Sequence, residues 1–598
     1  MQSVLDRLLA GTAPGASPCT HVESLAARTG TTAAWPDWVP RGLRERLFAN
    51  GVEQPWQHQV DAAALAHGGE SVVVATGTAS GKSLAYQLPG LAALLGDDRA
   101  RVLYLAPTKA LAGDQLRSLR ELAVPGVRAA SFDGDTPQDE RDWVRAHANW
   151  VLTNPDMLHR TVLPSHERWA PFFRRLRYVV IDECHAYRGL FGAHVSLVVR
   201  RLRRICATYG CTPTFVLASA TVADPQVSAG RLIGAPVRAV TADGSPHGPT
   251  TFALGEPPLT ALRGEHDAPV RRAAGAEAGR LLADLVVQGQ RTLAFVRSRR
   301  GAELTALTAQ RHLAEAGLTE LAARVSAYRA GYLPEERRAL EAALSSGELL
   351  GVAATNALEL GLDVTGLDAV ILAGFPGTLA SLWQQAGRAG RAGAPSLVVF
   401  VARDDPLDTY LAHHPAAVFG RPVEANVFDP ANPYVLAGQL CCAAAELPLR
   451  AGELAAFGGP AAEAVLEELV ARGALRRRPA GWYWTSRQRP RTDIRGGGGA
   501  PVAVVDGASG ALIGTVDAGA AHTQVHPGAV YLHQGRSFVV DELDLDGAAA
   551  LVHAEEPDWT TSARELTDIA IVETVHSRTA GPVSLAVGTV DVTDQRMR

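Results

Sequence analysis

The loop at residues 76–83 constrains this chain most, because it stands between an apolar run at 71–75 and a helix-like pattern. A strand, a loop of small residues and a helix in that order present backbone N–H groups and a helix N-terminus to phosphate oxygens. Lys82 is placed to reach the β- and γ-phosphates of a nucleotide, and the Ser83 hydroxyl to take one Mg²⁺ position. The alternative is a loop that contains Gly-Lys-Ser by chance, since Thr76 replaces the first glycine of the usual motif. The sequence thus predicts a phosphate cradle made of Thr76, Gly77, Thr78, Ala79, Ser80, Gly81, Lys82 and Ser83.

Lysine is almost absent from the chain, which strengthens this interpretation. Of 57 lysine and arginine residues, only Lys82 and Lys109 are lysines. A compact ammonium that sits between two phosphates is not easily replaced by a planar guanidinium. Both lysines are therefore candidates for positions where a point charge is needed, although chance is the alternative for Lys109.

Length, charge and cysteine content set further limits. A chain of 598 residues is long enough for several domains. Its formal net charge of −5 means that any nucleic-acid site must be a local groove in a mildly acidic protein. Six cysteines without a C-x-x-C pair argue against a zinc ribbon and fit reduced thiols in a cytoplasmic protein. No apolar run is long enough to span a bilayer, and we expect a monomer without membrane association.

Four apolar strands between residues 100 and 221 each end in a polar cluster. Strands that alternate with helices predict a parallel, doubly wound α/β sheet, whose carboxyl edge binds ligands. Asp182 is expected to hold Mg²⁺ through water, and Glu183 to polarise the water that attacks the γ-phosphate. His185 either relays between the nucleotide and Ser219 and Thr221 or fills a polar gap. The predicted strands cover 102–106, 151–152, 178–181 and 215–218.

Gln59, just upstream of the loop, has two possible roles that the sequence leaves open. Its amide carries a donor and an acceptor that match the N6 and N7 edge of adenine. The same side chain is equally suited to cap the helix predicted at 60–67.

A second alternation of strands and helices follows a stretch at 244–275 that has the composition of a linker with an insertion. Arg388 and Arg391 stand three residues apart, so both can reach one γ-phosphate from a single helical face, as arginine fingers do. A solvated basic helix face is the alternative, but the small residues around them permit close approach of another surface. The predicted strands cover 292–296, 324–328, 350–354, 369–372 and 396–401.

Two helices, an arginine run, a turn and an aromatic strand then follow in an order that is typical of a winged helix. Arg476 and Arg477 would contact phosphates. Trp482 or Trp484 either stacks on a base at a duplex fork or belongs to the core. The two predicted helices cover 432–447 and 462–473.

These ordered motifs resemble those of superfamily 2 helicases of the DEAD/DEAH type. The segments at 76–83, 182–189 and 354–361 are most similar to the MrfA/SftH clade of bacterial DNA helicases. The resemblance implies two tandem RecA-like parallel-sheet lobes, followed by a winged-helix-like module and a small β-rich domain. The expected segments are a lead-in at 1–50, lobe one at 51–243, a linker with an insertion at 244–275, lobe two at 276–415, the winged-helix-like module at 416–495 and the β-rich region at 500–598.

The resemblance also implies where ligands bind. ATP would lie in the cleft between the lobes, and single-stranded DNA would cross both of them. The expected nucleotide and catalytic residues are Gln59, Lys82, Ser83, Asp182 and Glu183 of lobe one and Gly361, Asp363, Gln384, Arg388 and Arg391 of lobe two. The expected contacts with DNA phosphates are Thr108, Lys109, Asn154, Arg297, Thr355 and Asn356.

The function that this resemblance implies is an ATP- and Mg²⁺-dependent DNA translocase and helicase. We expect an ATPase stimulated by single-stranded DNA that acts on single-stranded or forked DNA in repair, with the 3′ to 5′ polarity of the clade. An RNA helicase of the same superfamily and a catalytically inactive nucleic-acid scaffold are the alternatives. Relatives in the clade carry a further C-terminal domain with a four-cysteine zinc site. Because no cysteine follows Cys442, we expect a shortened form of such a protein without structural zinc.

Overall fold

The computed structural model describes residues 1–10, 17–359, 367–390, 393–496 and 500–597. The chain divides into two compact units. One comprises residues 1–328 and 341–496, and the other comprises 329–340 and 497–598. Within the described ranges, no helix is both long and apolar enough to cross a membrane.

The first unit contains two seven-stranded sheets and two separate strand pairs. Its strands in chain order are β1 Cys19–Leu25, β2 Val72–Ala75, β3 Arg101–Leu105, β4 Ala129–Ser131, β5 Trp150–Thr153, β6 Leu176–Ile181, β7 Thr214–Ser219, β8 Arg238–Val240, β9 Thr250–Gly255, β10 Leu259–Arg263, β11 Pro269–Arg271, β12 Thr292–Val296, β13 Val325–Tyr328, β14 Gly351–Ala354, β15 Ala369–Ala373, β16 Ser396–Val401, β17 Leu475–Arg478 and β18 Gly481–Trp484. The α-helices up to residue 496 are α1 Gln2–Leu8, α2 Arg41–Ala49, α3 Gln57–His67, α4 Ser83–Gly96, α5 Lys109–Glu121, α6 Gln138–His147, α7 Pro155–Met157, α8 Ala170–Phe173, α9 Gly189–Thr208, α10 Pro225–Ile233, α11 Ala274–Val287, α12 Arg299–Glu315, α13 Thr319–Ala322, α14 Pro334–Ser346, α15 Leu379–Ala386, α16 Pro406–His413, α17 Ala416–Phe419, α18 Pro433–Glu446 and α19 Pro460–Ala471.

The first seven-stranded sheet, lobe one, is wholly parallel with the strand order β4-β5-β3-β6-β7-β2-β8. Its five inner strands are buried along almost their whole length because helices cover both faces, which explains their nearly continuous apolar runs. Leu43 and Leu47 of α2 also pack into this core, although they lie in the predicted lead-in. Because β2 and β6 both pair with β7, their carboxyl ends bring the loop at 76–83 beside Asp182.

The second sheet, lobe two, has the order β1-β9-β16-β15-β12-β14-β13 and is parallel except for β1, which runs antiparallel to β9. Strand β1 comes from the predicted lead-in, and β9 from the stretch interpreted as a linker with an insertion. Helix α1 likewise contributes Val4, Leu5 and Leu8 to this lobe's core. Exposure alternates along β1, so neither its length nor its pattern stands out as a core strand in the sequence.

Helices α18 and α19 and the hairpin β17–β18 form the arrangement that was predicted as a winged helix. The module packs on α9 of lobe one, where Arg201 is 0% exposed and is ion-paired with Glu446. Arg204 of the same helix donates to Glu453 at 2.8 Å. Buried charges are retained in a fold only when paired, so these arginines fasten the module to lobe one. Trp482 is 9% exposed and belongs to the shared core, as one of its two proposed roles required.

The second unit combines the predicted β-rich domain with residues 329–340. Arg329 lies between the rings of Tyr332 and Tyr531, at 4.5 and 5.4 Å, and donates to the Leu532 carbonyl oxygen at 2.6 Å. A five-stranded sheet of order β20-β19-β23-β22-β21 forms its body, and β24 and β25 pair with each other. The elements are β19 Val502–Asp506, β20 Leu512–Val516, α20 Ala521–Gln524, β21 Val530–His533, β22 Arg536–Asp544, β23 Ala549–Ala554, β24 Arg564–Ala580 and β25 Val583–Met597.

Candidate functional site

The loop at 76–83 is held in shape by its own side chains. Thr76 and Ser80 are each 1% exposed, and their hydroxyl oxygens are 2.7 Å apart. Ala79 and Gly81 have φ values of 57° and 75°, the left-handed turns that gather backbone N–H groups around an anion. Thr76 therefore contributes a hydrogen bond that a glycine at this position would lack.

Lys82 folds back onto this loop. Its Nζ donates to the carbonyl oxygen of Gly77 at 2.7 Å and to that of Thr76 at 3.3 Å. Burial lowers the pKa of Lys82, while three neighbouring carboxylates, those of Glu183, Asp182 and Asp243, oppose that shift. The Gly77 N–H donates to the Asp243 carboxylate at 3.3 Å. The cradle thus already accommodates a negatively charged oxygen at one of its amides.

Gln59 makes the capping interaction that was one of its two proposed roles. Its Oε1 accepts from the Trp56 N–H at 2.7 Å, and its Nε2 donates to the Gly81 carbonyl oxygen at 2.8 Å. Both ends of the amide are therefore used by backbone groups, and the side chain supports the start of α3 and the loop together.

Beneath the cradle, His58 links two segments that the sequence did not connect. Its Nδ1 accepts from the Gly244 N–H at 3.2 Å, and its Nε2 donates to the Ser80 carbonyl oxygen at 3.1 Å. Burial lowers the pKa of His58, in keeping with a neutral ring. Asp243, next to Gly244, is ion-paired with Arg28 at 2.9 Å. Nothing in the spacing of these residues signals their proximity, because they lie in three separate parts of the chain.

Asp182 follows β6 and is 7% exposed. Its Oδ1 accepts from the Glu183 N–H at 2.8 Å, and its Oδ2 accepts from the phenols of Tyr104 and Tyr86 at 2.6 and 3.1 Å. Burial, reinforced by the Glu183 charge, raises the pKa of Asp182 to about 6, against the hydrogen bond from Tyr104, which lowers it. The carboxylate is consequently fixed in direction by three donors, of which the Tyr86 phenol also faces Oε1 of Gln115 at 2.9 Å.

His185 joins the two lobes. Its Nδ1 lies 3.3 Å from Glu183 Oε2 and accepts from the Ala220 N–H at 3.2 Å, with Ser219 Oγ at 3.5 Å. Because Nδ1 is an acceptor, Nε2 carries the proton and donates to Oε1 of Gln384, 2.9 Å away in lobe two. Gln384 is 2% exposed, so the contact is shielded from water. These contacts include Ser219, one of the residues named in the proposed relay, and the relay stays a prediction.

The C-terminal end of α15 in lobe two touches the loop at 76–83. A Cβ atom on Gly387 would overlap Oγ1 of Thr78. Thr221 is exposed and lines the cavity of about 520 Å³ at this boundary, together with Trp56 and Trp383. Thr221 therefore faces the cleft and is not among the residues that contact His185.

Arg388 points from lobe two toward the same cleft. Its Nη2 donates to the Glu359 carbonyl oxygen at 2.5 Å. Its charge is also one of those that lower the pKa of Lys82, so the two cations are neighbours. The remaining predicted residues of lobe two lie outside the described ranges, and these are Gly361, Asp363 and Arg391.

Three of the side chains predicted to contact DNA phosphates cap helices. Thr108 Oγ1 and Asn154 Oδ1 accept from the N–H three residues further on, at 3.3 and 2.9 Å. Thr355 is 6% exposed, and its Oγ1 accepts from the N–H two residues further on at 3.5 Å. A capping side chain satisfies one backbone donor of the first turn and orients the others. At these positions the side chains thus shape the edge of the sheet.

The other predicted DNA contacts are exposed. Lys109 Nζ lies 2.7 Å from the Asp135 carboxylate, with 46% and 70% of the two side chains exposed. An ion pair this exposed is weak, so a phosphate can compete for the lysine. Arg297 and Asn356 line a cavity of about 350 Å³ that also includes His185. These two residues therefore adjoin the contact between the lobes.

The winged-helix-like module adds a contact that the sequence did not reveal. Arg495 donates to Asp156 at 2.9 Å and to the Pro107 carbonyl oxygen at 3.3 Å, at the ends of two strands of lobe one. On the module's hairpin, Arg476 and Arg477 are exposed, as a phosphate contact requires. Arg495 is one arginine among many in the chain, and only the fold distinguishes it.

Three family models match the chain. The model of the DEAD/DEAH box helicases matches residues 56–229, and that of the helicase conserved C-terminal domain matches 277–393. The winged helix domain of ATP-dependent helicase HRQ1 matches residues 428–495. These ranges correspond in order to lobe one, lobe two and the module of α18, α19, β17 and β18.

Curated relatives match most of the chain. The ATP-dependent helicase YprA of Bacillus subtilis is 38% identical over 574 residues, which cover 94% of this chain and 75% of YprA. The ATP-dependent helicase hrq1 of Schizosaccharomyces pombe is 34% identical over 91% of this chain, and HRQ1 of Saccharomyces cerevisiae 35% identical over 86%. The matches span only 52% and 49% of these two yeast proteins, about half of each.

Solved structures extend the similarity to the fold. The DUF1998 helicase MrfA bound to DNA superposes with a TM-score of 0.89 at 36% identity, covering 99% of this chain and 79% of that protein. Its complex with DNA and AMPPNP gives a TM-score of 0.87. The Mycobacterium smegmatis helicase Lhr bound to ssDNA and AMP-PNP gives a TM-score of 0.65 at 26% identity, covering 79% of this chain and 64% of Lhr.

Proposed function

This chain belongs to the superfamily 2 helicases of the DEAD/DEAH box type, a family of ATP-dependent enzymes, and we propose that it uses ATP hydrolysis to move along single-stranded DNA and separate duplex strands. DNA is favoured over RNA because MrfA, which is similar over nearly the whole chain, was solved with DNA. The winged-helix-like module with its exposed arginines also fits a duplex partner.

The observation that carries this proposal is the contact between His185 and Gln384. It joins His185, whose ring lies 3.3 Å from the carboxylate proposed to activate water in lobe one, to the helix of lobe two that ends beside the phosphate cradle. Hydrolysis at the γ-phosphate therefore changes the surroundings of the hydrogen bond that connects the two lobes. Such closing and reopening around a nucleotide is how two-lobed motors convert hydrolysis into displacement.

The residues of the cleft fit ATP with Mg²⁺. Hydroxyl and carboxylate oxygens are the ligands that Mg²⁺ prefers, and Ser83 and Asp182 supply them beside the loop at 76–83. When bound, the ion neutralises charge on the β- and γ-phosphates. The three hydrogen bonds to Asp182 keep its carboxylate aimed toward that position.

Each charged residue of the cleft has a separate task. Lys82 exchanges its carbonyl partners for the β- and γ-phosphates, because a charged acceptor gives the stronger hydrogen bond. Glu183 accepts the proton of the attacking water, and Nδ1 of His185 lies 3.3 Å from its carboxylate. Arg388 stabilises the charge on the transferred phosphoryl group when the lobes close, and Arg391 is proposed to assist it.

The nucleic acid is proposed to lie across the carboxyl edges of both sheets. Lys109 and Arg297 supply mobile positive charges there, and the capped helices supply oriented backbone donors. Asn356 and His185 both line the 350 Å³ cavity, so a nucleic-acid strand that contacts Asn356 lies close to the proposed relay. Movement from 3′ to 5′ and a role in repair are proposed from the resemblance to the MrfA/SftH clade alone.

ATP hydrolysis measured with single-stranded DNA, with single-stranded RNA and without nucleic acid tests the proposal directly. We expect strong stimulation by DNA, weak stimulation by RNA and a low rate without either. Equal stimulation by both polymers would favour the RNA helicase alternative. No hydrolysis under any condition would favour an inactive scaffold.

A further inference from the structure

Asp182 is the centre of a hydrogen-bond network that extends beyond the nucleotide cleft. Tyr104 of β3 donates to its Oδ2 at 2.6 Å, and Tyr86 of α4 approaches the same oxygen at 3.1 Å. The Tyr86 phenol also lies 2.9 Å from Oε1 of Gln115, in the middle of α5. Tyr86 and Tyr104 are 2% and 0% exposed, so no water competes for these bonds.

The two tyrosines differ in one respect. Tyr104 has a short bond to Asp182, whereas Tyr86 faces two acceptors, the Asp182 carboxylate and the Gln115 carbonyl oxygen. A phenol carries one proton. Gln115 and Asp182 therefore compete for the proton of Tyr86, and the position of Gln115 decides how firmly Tyr86 holds the carboxylate.

Gln115 belongs to the helix that is best placed to sense nucleic acid. Helix α5 begins at Lys109, is capped by Thr108 and presents its first turn at the carboxyl edge of the sheet. Tyr86 lies on α4, three residues after Ser83, and a second contact between these helices joins Gln87 to Ser118 at 3.5 Å. A shift of α5 therefore changes the distance between Gln115 and the Tyr86 phenol.

We propose that Tyr86 and Gln115 are positioning residues that couple DNA binding at α5 to Asp182. In the absence of DNA, Gln115 shares the Tyr86 proton with the carboxylate and weakens that hydrogen bond. DNA that binds at Lys109 shifts α5 and withdraws Gln115, so that Tyr86 donates to Asp182 alone and holds it toward Mg²⁺. Tyr104 keeps its hydrogen bond to Asp182 with and without DNA. The inference rests on the proposed function, since it presumes that DNA stimulates nucleotide use.

Binding of a non-hydrolysable ATP analogue with Mg²⁺ tests the coupling without requiring turnover. The analogue is titrated into the full chain with and without single-stranded DNA, and again without Mg²⁺. Gln115→Leu removes the competing acceptor, Tyr86→Phe removes the phenol but keeps the ring, and Tyr104→Phe removes the hydrogen bond that is kept with and without DNA. Tyr178→Phe is the matched control, because Tyr178 is a buried tyrosine of the same core at the opposite end of β6 from Asp182.

The variants are expected to differ in direction. Gln115→Leu should tighten Mg²⁺-dependent binding without DNA by about 3- to 10-fold, the range of one net hydrogen bond, and leave little further gain when DNA is added. Tyr86→Phe should lose the gain from DNA, and the double variant should match Tyr86→Phe because Gln115 acts only through that phenol. Tyr104→Phe should weaken binding equally with and without DNA, and Tyr178→Phe should behave as wild type.

Two results would overturn the coupling. One is weakened or unchanged DNA-free binding in Gln115→Leu, and the other is a full DNA-induced gain in Tyr86→Phe. Failure of the proposed function looks different, because then the wild-type chain itself shows no effect of DNA on nucleotide binding or hydrolysis.

Discussion

Substitution of Gly387 by alanine should block closure of the lobes while leaving each lobe intact. The backbone at Gly387 has φ −68° and ψ 0°, which alanine adopts without strain. The added Cβ would overlap Oγ1 of Thr78 and lie 3.1 Å from the Trp383 carbonyl oxygen of its own helix, so the overlap falls on the contact between α15 and the loop at 76–83. Overpacking of a tight contact costs about 1–3 kcal/mol. If closure precedes hydrolysis, that cost lowers the rate by about 5- to 150-fold.

The assay is steady-state ATP hydrolysis at saturating single-stranded DNA, together with the melting temperature and the affinity for nucleotide. Gly42→Ala is the matched control, since a Cβ there meets nothing within 4 Å. Thr78→Ala removes the overlapping hydroxyl, so the double variant Thr78→Ala/Gly387→Ala should recover much of the lost rate relative to Thr78→Ala alone. A normal rate in Gly387→Ala would refute the closure argument. So would a loss of rate that Thr78→Ala does not relieve, because the crowding would then lie elsewhere.

Four further predictions follow from individual contacts. Lys82→Ala should lose both nucleotide affinity and hydrolysis, whereas Glu183→Gln should keep affinity and lose only hydrolysis; titration with a fluorescent nucleotide separates the two, and wild-type turnover in Glu183→Gln would show that this carboxylate is not the base. Arg388→Ala should reduce hydrolysis by roughly 10³-fold while nucleotide binding to lobe one persists, and single-turnover rates provide the check. Lys109→Ala should weaken binding to single-stranded DNA and reduce the slope of log affinity against log salt concentration by about 0.7, the contribution of one phosphate. Asp135→Asn removes the charged partner that lies 2.7 Å from this lysine and should tighten binding. Unchanged slopes in both variants would exclude a phosphate contact. Burial lowers the pKa of His159 from 6.5 to about 4, so the unfolded chain takes up this proton at a higher pH than the folded chain does. The stability that the neutral ring contributes is therefore complete above pH 6.5 and is lost as the pH falls toward 4. His159→Gln should make the melting temperature less dependent on pH in that window, and an equally steep dependence would place the acid sensitivity elsewhere.

The central strands of both sheets were predictable because burial on both faces leaves a continuous apolar run bounded by turn residues. The interpretation of 292–296 and 396–401 as strands coincides with β12 and β16. Strands β1 and β9 were not anticipated. Strand β1 lies at the edge of its sheet and alternates in exposure. Its pairing partner β9, which connects it to the parallel strands, lies more than 200 residues away in the chain.

The residues of the nucleotide site followed from their place at strand ends, but their orientation did not. Thr108, Asn154 and Thr355 stand where DNA contacts were expected, yet each turns its side-chain oxygen to a backbone N–H of its own helix. Sequence position cannot distinguish these outcomes, because the same side chain can accept from a backbone N–H through its oxygen and donate to a phosphate through its hydroxyl or amide hydrogen. The bond between Tyr86 and Asp182 joins residues 96 positions apart and needs the packed sheet to be recognised.

ATP-dependent displacement of a labelled strand from forked DNA tests the central claim most directly. The wild-type chain should separate the fork when the single-stranded tail has a free 3′ end, and it should require both ATP and Mg²⁺. Glu183→Gln should bind the same fork with similar affinity and leave it intact. Strand separation by the wild-type chain without ATP, or ATP hydrolysis that never leads to displacement with either tail, would contradict the account.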